Sequence, residues 1–526
     1  MQLRACTTIA AAALLLLGAG ACTDITTEPR STVTGANIFN DNGSYRAFVA
    51  KLYAGLAVSG QQGAAGAGDI EGIDEGFSQY LRLIWQMQEL PTDEAIIAWQ
   101  DAGLPELNTQ IWSSSNPFLG AMYYRIFFQV SLANEFLRET TDEKLQSRGV
   151  GTALRADIQQ YRAEARFLRA LSYWHGIDLF GSIPLVTEAD AVGAAPPRQA
   201  TRKELFDYVV AELNGIRDAL PARPQYGRAG RAAADMLLAK LYLNAQVYAG
   251  ENRYAEARTA AERVIAAGYA LDDRHQDIFL ADNHTSPEII FPITQDGRNT
   301  RTFGGMTFIA HASVGGNVMN AADYGLNGGW WGLRTRPQLV ALFPGAGPAS
   351  PDRRSAFFFT QGQTLDITSV SDFTKGYAAP KNRNITSTGQ PGSNSEFVDI
   401  DFPVFRLGDA YLMYAEAVLR GGGGTRAQAL AYVNALRQRA YGNASGNVTD
   451  AQLTLDFILA ERARELMWEG HRRTDLIRFD RFTDNGTWAW KGNVAAGRTT
   501  EAFRDLYPLP ASELLANPNL TQNTGY

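Results

Sequence analysis

Apolar residues recur every three to four positions along many stretches of this chain, the spacing that places them on one face of an α-helix. The clearest example is 157–180, where Ala163, Phe167 and Trp174 fall on one face. The same spacing predicts helices at about 44–56, 116–138, 201–220, 228–248, 253–267, 405–420, 425–440 and 454–469. The chain is therefore predicted to be mainly α.

Two predicted helix pairs share an alternation of small and large residues. In 228–267 and 405–440, alanines recur between leucines and tyrosines. Each pair has roughly the length of the tetratricopeptide unit, a helix hairpin of about 34 residues. Generic helix hairpins would also fit this pattern. We predict a tetratricopeptide-like helical-repeat scaffold at about 157–270 and 405–470.

The segment 271–403 differs from the helical stretches, because Gly, Asn, Ser, Thr and Pro crowd into it around short apolar runs such as 288–293. This composition predicts long irregular loops with short strands or helices. Long loops inside a compact protein are usually functional. We therefore expect ligand contacts in 271–403, within a single domain at 41–526 that also contains the helical repeats.

The first 22 residues have the pattern of an export signal. A short positive region precedes an apolar run at 5–17 and small residues at 18–21, which predicts a signal peptide at 1–21. The apolar run is too short to span a membrane as a mature helix. Cys22 follows the small residues as in a lipobox, where the chain is cleaved before a lipid-carrying cysteine. Ala19 stands where most lipoboxes have leucine, so an ordinary signal peptide with an incidental Cys22 stays open.

The segment 22–40 is polar and contains several Thr and Pro residues. We predict that it forms a tether between the lipid and the fold. The chain has two cysteines, Cys6 and Cys22. Cleavage would remove Cys6 and lipidation would occupy Cys22, so the mature fold is expected to contain no disulfide.

Composition and charge narrow the classes to which the chain can belong. Its 526 residues are 45% hydrophobic and 20% charged, which is ordinary for a globular protein and unlike a disordered chain or a multi-span membrane protein. With 48 Lys and Arg against 55 Asp and Glu, the net charge is −7. A chain with this charge has no general attraction for nucleic acid, and no nucleic-acid partner is predicted.

Sequence signatures of common catalytic and metal sites are absent from the chain. It has no His-Glu-x-x-His pattern, no Gly-x-Ser-x-Gly pattern and no P-loop, and its five histidines lack the spacing of metal ligands. Glu461, Glu465 and Glu469 form the best acidic cluster; they could act as general acids or bases, or pair with neighbouring arginines. We favour an ion-pair network, and we predict no catalytic residues, no metal ligands and no cofactor.

Aromatic residues on predicted loops are the best candidates for ligand contact, because flat rings with a few polar neighbours suit a binding site. The candidate ligand-binding residues are Trp99, Asp101, Asp323, Tyr324, Trp330 and Trp331, the last two within the loop sequence NGGWWG. Any of these tryptophans could instead pack beneath its loop as local core, because tryptophan is usually mostly buried. Helical spacing assigns Trp85, Trp112, Trp174 and Trp468 to the core and leaves Trp488 and Trp490 undecided.

Several sequence blocks follow one another in order over nearly the whole chain. They are ELPTDE at 89–94, YRAEARFLRALSYWHGIDLFGSIPLVTE at 161–188, Gly227-Arg228 before an Ala-rich helix, FRLGDAYLMYAEAVLRGG at 405–422, ERARELMWEGHRRTDLIRF at 461–479, and YPLP with NPNLTQNTGY at the end. Together with the lipobox at Cys22, these blocks resemble the RagB/SusD family of outer-membrane nutrient-binding lipoproteins. The 161–188 block is the most specific of them.

The resemblance implies a SusD-like fold, mainly helical and built on tetratricopeptide-like repeats. It implies a position on the outer face of the outer membrane, held by lipid on Cys22. It also implies a partner, a SusC-like TonB-dependent transporter over which the protein sits as a hinged lid. The family's usual cargo is oligosaccharide, although some members take peptides, and the family has no catalytic residues to transfer. Its glycan-stacking aromatics come from about the regions of Trp99 and Trp330-Trp331.

The leading hypothesis is therefore a non-enzymatic, cell-surface protein that binds an oligosaccharide and delivers it to a SusC-like transporter. Two alternatives stay open. One is a helical secreted carbohydrate-active enzyme, because a glycosidase carboxylate pair leaves no sequence signature of its own. The other is a tetratricopeptide-type protein–protein adaptor that binds no small ligand.

Overall fold

A computed structural model describes residues 38–39, 41–60, 62–64, 66, 68–193, 195–345 and 349–526. The predicted signal peptide at 1–21, Cys22 and nearly all of the predicted tether at 22–40 lie outside these residues. The described chain is mainly helical with few, short strands, so the predicted fold class is confirmed.

The elements are numbered in chain order over the described residues. The helices are α1 (Asn42–Ala57), α2 (Tyr80–Glu89), α3 (Leu104–Thr109), α4 (Pro117–Glu139), α5 (Asp142–Ser147), α6 (Thr152–Leu179), α7 (Arg202–Ile216), α8 (Arg231–Leu243), α9 (Ala245–Ala249), α10 (Tyr254–Ile265), α11 (Gly305–Ala312), α12 (Pro337–Val340), α13 (Leu407–Leu419), α14 (Arg426–Tyr441), α15 (Leu455–Glu465), α16 (Arg472–Arg478) and α17 (Ala511–Ala516). The strands are β1 (Ala95–Ile97), β2 (Ile289–Ile293), β3 (Leu333–Thr335) and β4 (Phe402–Arg406). No described helix is both long and apolar enough to cross a membrane.

Local sequence signals explain where the main helices begin. Asn116 caps α4, because its side chain accepts hydrogen bonds from the first free backbone N–H groups, and Pro117 follows at the first helical position. Thr201 and Glu204 form a reciprocal capping box at the start of α7. One predicted start is wrong: Phe405 lies in β4, and α13 begins two residues later.

The two predicted repeat regions pack into one helical stack. Helix α8 packs on α10, α10 packs on α13, and α13 packs on α14. Small residues allow these close approaches: Ala257, Ala260 and Ala261 of α10 are all fully buried. Ala261 joins Leu412 of α13 in a second hydrophobic cluster, so α10 connects the region at 157–270 to the region at 405–470.

Two short antiparallel strand pairs connect the irregular region to the helices. β1 pairs with β3, with Ala95 opposite Thr335 and Ile97 opposite Leu333. β2 pairs with β4. The β1–β3 pair matters most for the candidate site, because it joins two segments that are more than 230 positions apart in the chain.

Tryptophan burial follows the helical spacing. The four tryptophans assigned to the core are buried: Trp85, Trp112, Trp174 and Trp468. The indole N–H of Trp85 donates to the backbone carbonyl of Trp468 at 2.9 Å, and the two rings meet edge to face. Of the two undecided residues, Trp488 is buried, whereas Trp490 is half-buried and its indole N–H donates to the carbonyl of Ile367.

A buried arginine connects three carboxylates beside the helical stack. Nη1 of Arg406 lies 2.7 Å from a carboxylate oxygen of Glu288 and 2.7 Å from one of Glu465. Nε of Arg406 donates to Glu469 at 2.6 Å. All four side chains are almost completely excluded from solvent. Each charge is therefore compensated by a partner, as burial requires.

Glu461 belongs to the same ion-pair network. It pairs with Arg354, Arg437 and Arg464 at 2.6–2.8 Å. Burial raises the pKa of Glu461, but the charges of these arginines outweigh burial and lower that pKa to about 2. The interpretation of the acidic cluster as an ion-pair network is thus correct. The predicted helix at 454–469 is wrong at its end: α15 stops at Glu465, so Glu469 reaches the network from the turn that follows.

Candidate functional site

The structure brings three of the six candidate residues together. Trp99 follows β1, whereas Trp330 and Trp331 precede β3, so the strand pairing carries all three to one place. The indole N–H of Trp99 donates to the carbonyl of Trp330 at 2.9 Å, and the two ring centroids are 6.4 Å apart. We call Trp99, Trp330 and Trp331 the tryptophan surface.

The adjacent tryptophans of the NGGWWG loop have different environments. Trp330 is half-buried and its ring stacks on the His311 imidazole, with centroids 4.6 Å apart and planes 21° apart. Trp331 keeps 52% of its surface exposed. Its φ is 55°, in the left-handed region that a bulky residue rarely adopts. Such strain often marks a functional position, and here it presents the Trp331 indole to solvent.

Backbone and side-chain hydrogen bonds hold this loop in place. The N–H of Trp330 donates to the carbonyl of His311, and the N–H of Trp331 donates to the carbonyl of Val314. The two ring nitrogens of His311 lie 2.7 Å from the carbonyl of Gly328 and 3.0 Å from that of Glu396. The N–H of Gly332 donates to the carbonyl of Ala312 at 2.9 Å, so the loop is anchored on both sides of the tryptophan pair.

A buried arginine lies beneath the tryptophan surface. The guanidinium of Arg82, which is only 2% exposed, lies 4.3 Å from the ring centroid of Phe77, 4.1 Å from that of Phe308 and 5.6 Å from that of Trp99. Its Nε and Nη2 have no hydrogen-bond partner among the described residues. Burial lowers the pKa of Arg82 to about 9. Three nearby carboxylates oppose that shift, those of Asp101, Asp74 and Glu75.

The other three candidates lie outside the tryptophan surface. Asp101 is exposed, two residues after Trp99, and its charge acts on Arg82. Asp323 and Tyr324 line a separate cavity of about 490 Å³. Within the described part of the chain, neither a hydrogen bond nor a ring contact joins Asp323 or Tyr324 to the three tryptophans. Asp323 and Tyr324 therefore form a second group, and Asp101 belongs to neither group.

Comparisons with known proteins agree with this fold. A family model described as "SusD family" matches residues 355–526, and one described as "Starch-binding associating with outer membrane" matches residues 85–243. The chain is 34% identical to "Starch-binding protein SusD" of Bacteroides thetaiotaomicron, over 98% of this chain and 97% of that protein. This chain belongs to the SusD family.

Solved structures share the architecture, among them a SusD superfamily protein from Bacteroides vulgatus that is 19% identical with a TM-score of 0.70, over 93% of this chain and 100% of that one. "Surface glycan-binding protein A" from Bacteroides thetaiotaomicron, in complex with laminarihexaose, is 21% identical with a TM-score of 0.69, over 91% of this chain and 98% of that one. The protein of the same name from Bacteroides fluxus is 21% identical with a TM-score of 0.70, over 92% of this chain and 100% of that one. At this identity the likeness establishes the fold, and the predicted SusD-like fold is confirmed.

Arg82 of this SusD family member was not among the residues predicted from the sequence. The sequence marks Arg82 only as a charged residue in the apolar stretch YLRLIW at the start of α2. An arginine exposed to solvent at this position would give the same sequence pattern. No metal site was predicted, and in the described ranges no group of three or more His, Cys, Asp or Glu side chains is placed to hold a metal ion.

We predict that Gly315→Ala weakens ligand binding at the tryptophan surface at least about fivefold. Gly315 has no side chain, and the Trp331 indole lies in the space that a Cβ would fill. A Cβ on Gly315 would lie 2.0 Å from Cδ1 of Trp331, closer than non-bonded atoms approach, so the indole has to move. The measurement is isothermal titration with an oligosaccharide ligand. Gly328→Ala is the matched control, because a Cβ there meets no atom within 4 Å. Equal affinities for the two variants would contradict this placement of Trp331.

Proposed function

We propose that this SusD family member binds an oligosaccharide at the tryptophan surface and delivers it to a SusC-like TonB-dependent transporter. Support comes from a relative that covers nearly the whole chain and whose name describes starch binding. A structural neighbour, surface glycan-binding protein A in complex with laminarihexaose, agrees with the same class of ligand. Neither the transporter nor the delivery step is part of that support; both are inferred from the family.

One observation carries the proposal: the exposed indole of Trp331, on a strained backbone directly after Trp330, which contacts Trp99. The apolar C–H face of a sugar ring can lie on such an indole, which hides apolar surface of both partners from water. Polar groups nearby are needed to orient the sugar hydroxyls. Asp101, exposed two residues after Trp99, offers acceptors for these hydroxyls.

The best acidic cluster is buried and ion-paired, which fits a binding protein better than an enzyme. Glu461 and Glu465 are fully buried and paired with arginines. A glycosidase needs two carboxyl groups that face a cleft about 5–10 Å apart, one of them able to give up a proton. The lowered pKa of Glu461 opposes that role.

We further propose that lipid on Cys22 holds the protein on the exterior face of the outer membrane. The family description that mentions association with the outer membrane supports this location. The predicted signal peptide and the small residues before Cys22 support the lipid. The tether at 22–40 would then separate the fold from the membrane.

The test combines a ligand screen with a partner screen on the protein purified from native outer membrane. We expect binding to one or more oligosaccharides from a panel of glycans and peptides, no release of reducing ends, and co-purification of a TonB-dependent barrel. Binding of peptides alone would replace the ligand class. Released reducing ends would favour the enzyme alternative, and a barrel without any small ligand would favour the adaptor alternative.

A further inference from the structure

We propose that the cavity beside Tyr324 is a second oligosaccharide-binding site, separate from the tryptophan surface; this inference rests on the proposed function. We call it the Tyr324 cleft. It has a volume of about 490 Å³, within the range typical of small-molecule sites. The residues that matter for the argument are Tyr324, Asp323, Arg383, Gln276, Phe357 and Phe359, all of which line it.

The walls of the Tyr324 cleft are tied together by backbone hydrogen bonds. The N–H of Arg383 donates to the carbonyl of Phe279 at 3.0 Å, and the N–H of Ala281 donates to the carbonyl of Ile385 at 3.0 Å. Asp282 accepts hydrogen bonds from both the N–H and the hydroxyl of Ser387. The cleft is therefore preformed, and a ligand would not have to order its walls.

Glycine places Tyr324 at the edge of this cleft. Gly325 has a φ of 73° and lies so close to the neighbouring chain that a Cβ would be 2.0 Å from the carbonyl oxygen of Asn384. A residue with a side chain would push the two segments apart. The carbonyl of Tyr324 accepts from the N–H of Asn384 at 2.9 Å, which fixes the tyrosine from the same side.

The chemistry of the Tyr324 cleft suits a polyol with apolar faces. The Tyr324 ring is half-buried, with the Arg383 guanidinium 5.5 Å from its centroid, while Phe357 and Phe359 add apolar lining. Among the described residues, the Tyr324 hydroxyl makes no hydrogen bond, and Arg383 gives one N–H to the carbonyl of Asp323. Free donors and acceptors thus surround aromatic surface, as sugar recognition requires.

Charge balance favours a neutral ligand. Arg274 pairs with Asp277 at 2.7 Å, and the buried Lys381 pairs with Glu469 at 2.8 Å. Of the charged residues that line the cleft, Arg383 and Asp323 remain, one of each sign. With no excess charge to bind an anion or a cation, the cleft fits a neutral saccharide better than a charged one.

The position of the cleft in the chain suggests how the two sites act together. Tyr324 and Trp331 lie seven residues apart in one segment, so a single loop carries aromatic rings of both sites. A glycan long enough to reach both would bind the second site at a high effective concentration. We therefore expect long glycans to bind more tightly than short ones.

The experiment is calorimetric titration of the purified protein with a short neutral oligosaccharide and with its long polymer. We expect two sites for the short ligand on the wild type, and one site after the double substitution Tyr324→Ala with Arg383→Ala. The double variant should bind the polymer at least about tenfold more weakly. Tyr324→Phe, which keeps the ring and removes only the hydroxyl, should lose less affinity than the double variant, and circular dichroism checks the fold of each variant.

The outcomes separate the two proposals. If the wild type shows one site, which Trp331→Ala abolishes and the double variant retains, the Tyr324 cleft is not a binding site and the proposed function stands. If the wild type binds no glycan, both the proposed function and the proposed second site are wrong. Binding that survives Trp331→Ala and disappears in the double variant would place ligand in the cleft.

Discussion

Trp331→Ala is expected to weaken oligosaccharide binding at the tryptophan surface about tenfold to a hundredfold, equivalent to about 1.4–2.8 kcal/mol. Trp331 has the most exposed ring of this surface, and alanine offers no flat apolar face in its place. Trp99 and Trp330 are half-buried and committed to contacts with each other, Phe308 and His311. Trp99 and Trp330 cannot replace Trp331 as the ring on which the sugar stacks unless the loop rearranges.

Isothermal titration of the wild type and Trp331→Ala with the same short oligosaccharide measures this effect. Trp331→Phe should lose less affinity, because a smaller ring remains. Leu515→Ala is the control: it removes an apolar side chain that is 88% exposed on α17 and should leave affinity unchanged. Thermal unfolding should shift little, because an exposed side chain contributes little to stability. An affinity for Trp331→Ala within twofold of wild type would show that the ligand binds elsewhere.

Arg406→Met is expected to destabilise the protein by about 3–5 kcal/mol or to prevent folding, because it leaves three buried carboxylates without their shared cation. Glu288, Glu465 and Glu469 all bind the guanidinium of Arg406. Methionine keeps only the apolar stem of the side chain, so the variant loses the charge, the hydrogen bonds and the volume of the guanidinium together. Arg439 still pairs with Glu288 and Glu465, and Lys381 still pairs with Glu469, but the buried negative charge that Arg406 balanced loses its compensation.

Urea unfolding measures this loss through the midpoint and slope of the transition. The control is Arg198→Met, which breaks the exposed pair between Arg198 and Glu204. Surface pairs contribute about 0–1 kcal/mol, so this control should unfold close to wild type. Equal midpoints for the two variants would mean that the buried network does not stabilise the fold.

The helices were predictable because their signals are local. The 3.6-residue periodicity and the caps at Asn116 and Thr201 lie within the segments that they organise. Errors occurred where a distant partner decides the backbone. Phe405 has a helical pattern after it, yet its pairing with β2 makes it part of a strand. Glu469 has helical spacing from Glu465, yet the chain leaves the helix before it.

The candidate site was predictable only as a set of regions. That Trp99 meets Trp330 depends on the pairing of β1 with β3, which no local pattern encodes. That Trp331 is exposed while its neighbour Trp330 stacks on His311 depends on a single left-handed backbone conformation. Arg82 could not be distinguished from an exposed arginine, because its burial is created by rings from other segments.

A structure of the protein with bound oligosaccharide would show whether the ligand lies on the tryptophan surface. We expect a sugar ring to lie on the exposed indole of Trp331, with hydroxyls near Asp101. Occupancy of the Tyr324 cleft in addition would agree with the second site. An oligosaccharide bound elsewhere, with the Trp331 indole free in solvent, would contradict the account.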